Sequence, residues 1–182
     1  MNAQILIFLF IILFSGQLTA QDTLPQTVES VDLQRYAGLW YEIAHIPNRF
    51  QKSCAYGTTA EYRVRKDGKM EVINQCYERD GDIDRVKGIA KIIDQNSKAK
   101  LQVSFFAIFG WHLFWGDYWI LGLDDDYQWA VVGSPDRKYG WILSRAPELS
   151  SQVRKKIDDL LEKRGYNPEK FVETRHHSGN RI

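Results

Sequence analysis

Few side chains in this sequence are of the kinds that make or break bonds, and their spacing assembles no reaction centre. Cys54 and Cys76 have no histidine near them in sequence. The four histidines are His45, His112 and the pair His176-His177, and one short pair supplies too few ligands for a zinc site. Asp124-Asp125-Asp126 lacks the spaced ligands of a calcium loop and reads as a solvated turn. No glycine-rich phosphate cradle and no Gly-x-Ser-x-Gly nucleophile turn is present. The one acid that invites attention is Glu42, set in the apolar run Trp40–Ile46. The reading is therefore a non-enzyme with no metal and no cofactor. An acid–base enzyme acting on a lipid or isoprenoid through Glu42 is the alternative, and a purely structural envelope protein is a third.

The elements that must position these groups are strands. From Gly38 onward, β-rich runs alternate with turn signals: Gly38–Ile46, Thr58–Arg65, Met70–Tyr77, Val86–Asp94, Lys100–Phe106, Tyr118–Leu123, Trp129–Gly133 and Gly140–Ser144. That spacing predicts an all-β barrel or sandwich. With no long helix between them, the strands connect antiparallel. Tight polar turns at 66–69, 94–99 and 124–126 alternate with longer loops at 47–57, 78–85, 107–117 and 134–139. In an up-and-down barrel the longer loops then crowd one end and the tight turns seal the other, making a cup. Eight strands leave an interior that side chains fill or that holds one small ligand. A helix over 151–164 follows, with Ser150 as N-cap and Gly165 as the residue past its end. Its stripe of Val153, Ile157, Leu160 and Leu161 is expected to pack on the outside of the barrel.

The flanks differ from this body. Residues 1–20 carry no charge, and Ile5–Phe14 is an unbroken apolar run. Ten apolar residues are short of the roughly 20 a membrane-spanning helix needs. The small residues that follow make this a secretory signal peptide cut after Ala20. Residues 21–32 form a polar lead-in, 33–175 the domain, and 176–182 a flexible tail. In an exported, oxidising setting Cys54 and Cys76 form one disulfide, with two buried free thiols as the other option. The whole-chain net charge of +1 gives no reason to expect a nucleic-acid partner.

Three motifs carry a family resemblance: Gly38-Leu39-Trp40-Tyr41-Glu42-Ile43, Gly116-Asp117-Tyr118 and Trp141-Ile142-Leu143-Ser144-Arg145. Together they resemble the lipocalins, and Gly133-Ser134-Pro135-Asp136-Arg137 narrows the likeness to the bacterial outer-membrane and apolipoprotein D-like branch. The resemblance implies that Trp40 closes the floor of the cup with Arg145 across its ring, so that Gly38, Trp40 and Arg145 are structural. It also implies lipid storage or transport for envelope maintenance. Members of the bacterial branch are often lipidated on an N-terminal Cys, but Gln21 stands at that position here. The expectation is a periplasmic or secreted protein, associated with the outer membrane if at all without a lipid anchor.

If Trp40 faces inward, alternation carries Glu42, Ala44 and Ile46 with it. A carboxylate there needs a polar partner or a polar ligand group. The same alternation gives a candidate ligand-binding set of Glu42, Ala44, Tyr62, Asn74, Ala90, Val103, Phe105, Tyr118 and Trp141. Gly88 and Ala90 are expected to leave space open. Such a lumen, apolar with a few polar tips, suits a fatty acid, a lysophospholipid or a related lipid. Finally, residues 107–116 hold several aromatics and no charge. This segment is expected to be a loop that covers the mouth as a lid, touches a bilayer or pairs with a second copy.

Overall fold

A computed structural model describes residues 23–109 and 111–176. The expected signal peptide, residues 21–22, residue 110 and the tail from His177 lie outside the described residues. The elements, in chain order, are α1 (Leu33–Tyr36), β1 (Gly38–His45), β2 (Tyr56–Val64), β3 (Met70–Tyr77), β4 (Ile83–Ile92), β5 (Lys100–Ser104), β6 (Phe106–Ile108), β7 (Trp111–Leu113), β8 (Gly116–Leu123), β9 (Trp129–Gly133), β10 (Gly140–Ser144), α2 (Ser151–Lys163) and β11 (Val172–Glu173). β1–β5 and β8–β10 pair antiparallel in sequence order, and β10 returns to β1, closing an eight-stranded barrel. β11 adds a short ninth strand on β1.

Alternation builds the wall. On β2, Thr58, Ala60 and Tyr62 are buried, while Thr59, Glu61 and Arg63 lie on the other face. The β2–β3 turn closes with Arg65 N–H on the Lys69 carbonyl, and Gly68 takes the positive φ of +78° that such a turn requires.

Two cores share the wall. The inner one joins Trp40, Tyr36, Tyr62, Met70, Val72, Leu101, Ile120 and Leu143. The outer one joins Leu121, Val131 and Ile142 of β8–β10 to Ile157 and Leu161 of α2. This is why strands β8–β10 are apolar on both faces. α2 begins at Ser150, whose hydroxyl accepts from Val153 N–H, and stops before Gly165 at φ +78°. Burying Ile157 and Leu161 contributes about 1.5–3 kcal/mol each.

Four features of the fold bear on the site. First, β1 bulges at Ile43: Glu42 pairs with Leu143, but Ala44 pairs with Ile142 and His45 with Trp141. The extra residue flips the alternation, so Ala44 and Ile46 leave the lumen for the outer core. Second, the end of the polar lead-in packs against the barrel. Val31 plugs the closed end, its N–H on the Ser97 carbonyl, and Asp32 caps α1. Third, the last described residues are tied to the barrel, with Thr174 N–H on the Ile43 carbonyl, Gly57 N–H on the Arg175 carbonyl and His176 Nε2 2.7 Å from the Glu42 carbonyl. Fourth, the aromatic segment is a β6–β7 hairpin rather than a loop. It shares a hollow with Arg65, Lys69 and Ile89 on the outer wall, and Lys91 Nζ sits 4.1 Å above the Trp115 ring. No residue of β6 or β7 lines the lumenal cavity.

Candidate functional site

The inward faces of β1, β2, β3, β8 and β10 enclose a cavity of about 70 Å³. Of the nine expected ligand residues, Glu42, Tyr62, Asn74, Tyr118 and Trp141 line it. Ala90 and Val103 face inward but are packed into the core beneath. Phe105 is 43% exposed, and its ring covers Gly88: a Cβ there would meet Phe105 Cδ1 at 2.6 Å. The space expected at Gly88 is thus filled by Phe105. Ala44 is outside, as described. Sequence reasoning left Leu143 and Gln51 out of the site. Leu143 sits on a strand with two apolar faces, which alternation cannot orient. Gln51 lies in a loop, which carries no period.

Gln51 closes the mouth. It ends a single 3-10 turn, Arg49–Gln51, whose Asn48 side chain accepts from Phe50 N–H. Gln51 Nε2 donates to Glu42 Oε2 at 2.6 Å, and Trp141 Nε1 donates to Gln51 Oε1 at 3.0 Å. The Cys54–Cys76 disulfide pins the same loop to the end of β3. Glu42, 4% exposed, is fully engaged: its other oxygen accepts from the Thr174 hydroxyl at 2.6 Å and lies 2.9 Å from His45 Nδ1. The carboxylate has the polar partners that its burial demands. It ties three segments together at the mouth.

The floor is made of tyrosines. The Tyr118 hydroxyl lies 2.7 Å from that of Tyr36 and 2.8 Å from that of Tyr62. Burial pushes all three hydroxyls well above the ordinary tyrosine range, so each stays neutral. Below them Arg145 lies 3.8 Å over the Trp40 ring, the stacking expected. Its guanidinium also donates to the carbonyls of Leu39, Arg35, Ala37 and Tyr127. On the wall above, Asn74 Oδ1 is buried without a hydrogen-bond partner. Among the described residues no group of three His, Cys, Asp or Glu is arranged to hold a metal ion. A larger groove, about 890 Å³, runs over the outer face of β1–β4. It is open to solvent, and its Arg63 and Arg85 are engaged by Glu61 and Gln75.

A family model described as a lipocalin-like domain matches residues 31–176, most of the chain. The chain belongs to the lipocalin family. It is 38% identical over 146 residues to the outer membrane lipoprotein Blc of Escherichia coli K12, covering 80% of this chain and 79% of that protein. It is 34% identical over 158 residues to apolipoprotein D of Mus musculus, covering 82% and 79%. Among solved structures, insecticyanin from the tobacco hornworm Manduca sexta superposes with a TM-score of 0.68, covering 87% of this lipocalin and 86% of that chain. At 24% identity that likeness speaks for the fold. The signature residues of this lipocalin have structural work: Gly38 holds φ +98° with Arg145 Nη1 3.3 Å from where its Cβ would be.

Proposed function

We propose that this lipocalin binds a small hydrophobic ligand in its barrel and stores or carries it without chemistry. The observation that carries this is a closed barrel whose cavity has neutral hydroxyls at its floor and a hydrogen-bonded plug, Gln51, at its mouth. Glu42, the residue an enzyme reading needs, is saturated by structural partners, which favours binding over catalysis. At about 70 Å³ the cavity is far below the roughly 300–1,000 Å³ of pockets that hold drug-sized ligands. A fatty acid or lysophospholipid therefore enters only as the Gln51 loop and Phe105 move. Its tail lies in the lumen, and its charged head stays at the mouth near the exposed Arg49 and Lys52. The likeness to an outer membrane lipoprotein supports an exported protein, whose role on this reading is envelope lipid maintenance in the periplasm or beyond the cell. Native mass spectrometry with oleate and with a lysophospholipid tests this. The expected result is a one-to-one adduct; absence of any adduct refutes the reading.

One further observation extends it to a surface. Phe109 is 99%, Phe114 82% and Trp111 76% exposed on the β6–β7 hairpin, with Lys69 and Lys91 beside it and Arg65 paired to Asp67. Aromatic side chains flanked by cations suit the interface of an anionic bilayer. Co-sedimentation with anionic vesicles is expected, and its loss in a Phe109→Ser/Trp111→Ser/Phe114→Ser variant. Dimerisation in place of vesicle binding would assign the hairpin to a second copy instead.

A further inference from the structure

The tyrosine floor has a donor to spare. Three hydroxyls joined by two hydrogen bonds contain three protons and use two. Whichever way the chain runs, one O–H is left over, with no other partner among the described residues. Tyr62 and Tyr118 line the cavity, whereas Tyr36 is buried behind them at 1% exposure. On the same wall Asn74 Oδ1 is a buried acceptor with nothing to accept. In the ladder Ala60 faces Asn74 and Tyr62 faces Val72. Asn74 is thus two residues nearer the mouth than Tyr62, about 6–7 Å along the strand. A buried polar group left unmatched is costly, so a ligand that matches it gains over one that does not.

The charges around this small cavity decide which polar group fits. Glu42 is the acid on the lumen wall, and its negative charge reaches Tyr62. The nearest cation, Arg145, lies across the Trp40 ring with its N–H groups spent on backbone carbonyls. An anion in this small cavity would share it with Glu42 and have no cation of its own.

We infer that the inner end of the lumen recognises an uncharged oxygen function, an alcohol or a carbonyl, that enters first and accepts the spare tyrosine proton. This rests on the carrier reading and names the ligand class it prefers: an apolar chain tipped with a hydroxyl or keto group, in place of one ending in a methyl. A hydroxyl tip also donates, and the Asn74 carbonyl is the acceptor available on that wall.

The test compares 1-octanol, 2-octanone and octanoate at neutral pH by calorimetry, with the mature protein and a Tyr36→Phe/Tyr62→Phe/Tyr118→Phe variant. Removing all three hydroxyls together leaves no orphan, so the fold is expected to survive. The alcohol and ketone are expected to bind the natural protein at least ~10-fold more tightly than octanoate. The triple variant should lose about 5-fold or more of that affinity while its octanoate binding stays put. Equal affinity for all three, or octanoate the tightest, overturns this inference and leaves the carrier reading standing. No binding of any of the three by the natural protein overturns both. An alcohol or ketone preference retained in the triple variant moves the recognition away from the tyrosines and overturns the assignment.

Discussion

Replacing Arg145 with methionine should loosen the closed end of the barrel more than any other exposed-rim substitution. Methionine keeps the apolar stem over Trp40 and removes the charge. Three contacts are short: Nη1 to the Leu39 carbonyl at 2.7 Å, Nη2 to Arg35 at 2.8 Å and to Ala37 at 2.9 Å. At the lower limit of about 1.5 kcal/mol for a charged donor they contribute ~4.5 kcal/mol. The stacking on Trp40 adds about 1 kcal/mol. Against this, burial already lowers the Arg145 pKa, so part of the gain offsets desolvation that methionine does not suffer. The freed carbonyls lie at the rim, where water can replace the guanidinium. The net loss is about 3 kcal/mol. For a domain of this size that is roughly 6–12 °C in Tm. Urea unfolding followed by tryptophan fluorescence measures it, and amide exchange at Tyr36 and Ala37 should accelerate as α1 loses the cation on its last carbonyls. A loss under ~1 kcal/mol, or unchanged exchange, would refute the account of Arg145 as the staple of that end. Lysine should rescue little, because one ammonium cannot span the planar fork of acceptors.

Other perturbations follow from single contacts. Cys54→Ala/Cys76→Ala opens a 22-residue loop, and the chain-entropy relation gives a loss of about 3 kcal/mol in denaturant unfolding. Gly133→Ala would place a Cβ 2.0 Å from the Tyr166 hydroxyl, breaking its 2.7 Å bond to the Ser134 carbonyl. Thermal melting should fall by the equivalent of about 2–3 kcal/mol. At high pH the sign is set by tyrosine. Tyr166 is pushed up to about 12 from 10.0, chiefly by burial, and Tyr36, Tyr62 and Tyr118 are shifted the same way. Below pH 10 both states hold these protons and stability is intact. Above it the unfolded chain ionises first, and four such groups remove about 5 kcal/mol per pH unit. Tyrosinate absorbance and circular dichroism should therefore change together; tyrosinate appearing at these four sites in a still-native spectrum would contradict their burial.

What the sequence disclosed and what it hid follow one physical line. Alternation with turn chemistry placed the eight barrel strands and the sealed end, because a half-buried strand must repeat with period two and a tight turn must use residues such as Gly68. The α2 stripe was equally plain. Alternation then misled at Ala44, because a bulge adds one residue without a compositional mark and reverses every face beyond it. It was silent for Leu143, whose strand is buried on both sides. Volume was invisible too: small Gly88 suggested open space, yet it serves the close approach of Phe105. The hairpin β6–β7 was hidden because an apolar segment with both faces exposed has no period. Glu42 was legible as an inward acid in need of partners, but Gln51 comes from the following loop, which carries no period, and Thr174 from 132 residues away.

The small cavity and the plug together make ligand entry a conformational question. Gln51 must leave Glu42 and Trp141 before a chain can pass, which breaks one hydrogen bond to a carboxylate and one to an indole N–H. Those bonds are worth about 1.5–3 and 0.5–1.5 kcal/mol, so opening the mouth costs at least ~2 kcal/mol and the open form is about one molecule in thirty or fewer. Gln51→Ala removes that cost while leaving Thr174 and His45 on Glu42 Oε1. Association of a lumenal ligand, followed by stopped-flow fluorescence of Trp141, should accelerate by ~30-fold or more if opening limits it. The barrel itself, held by its ladders and by the disulfide, should melt within a few degrees of the natural protein. An unchanged association rate would mean that the Gln51 plug is not where the ligand waits, and the barrier would then lie elsewhere, at Phe105 over Gly88.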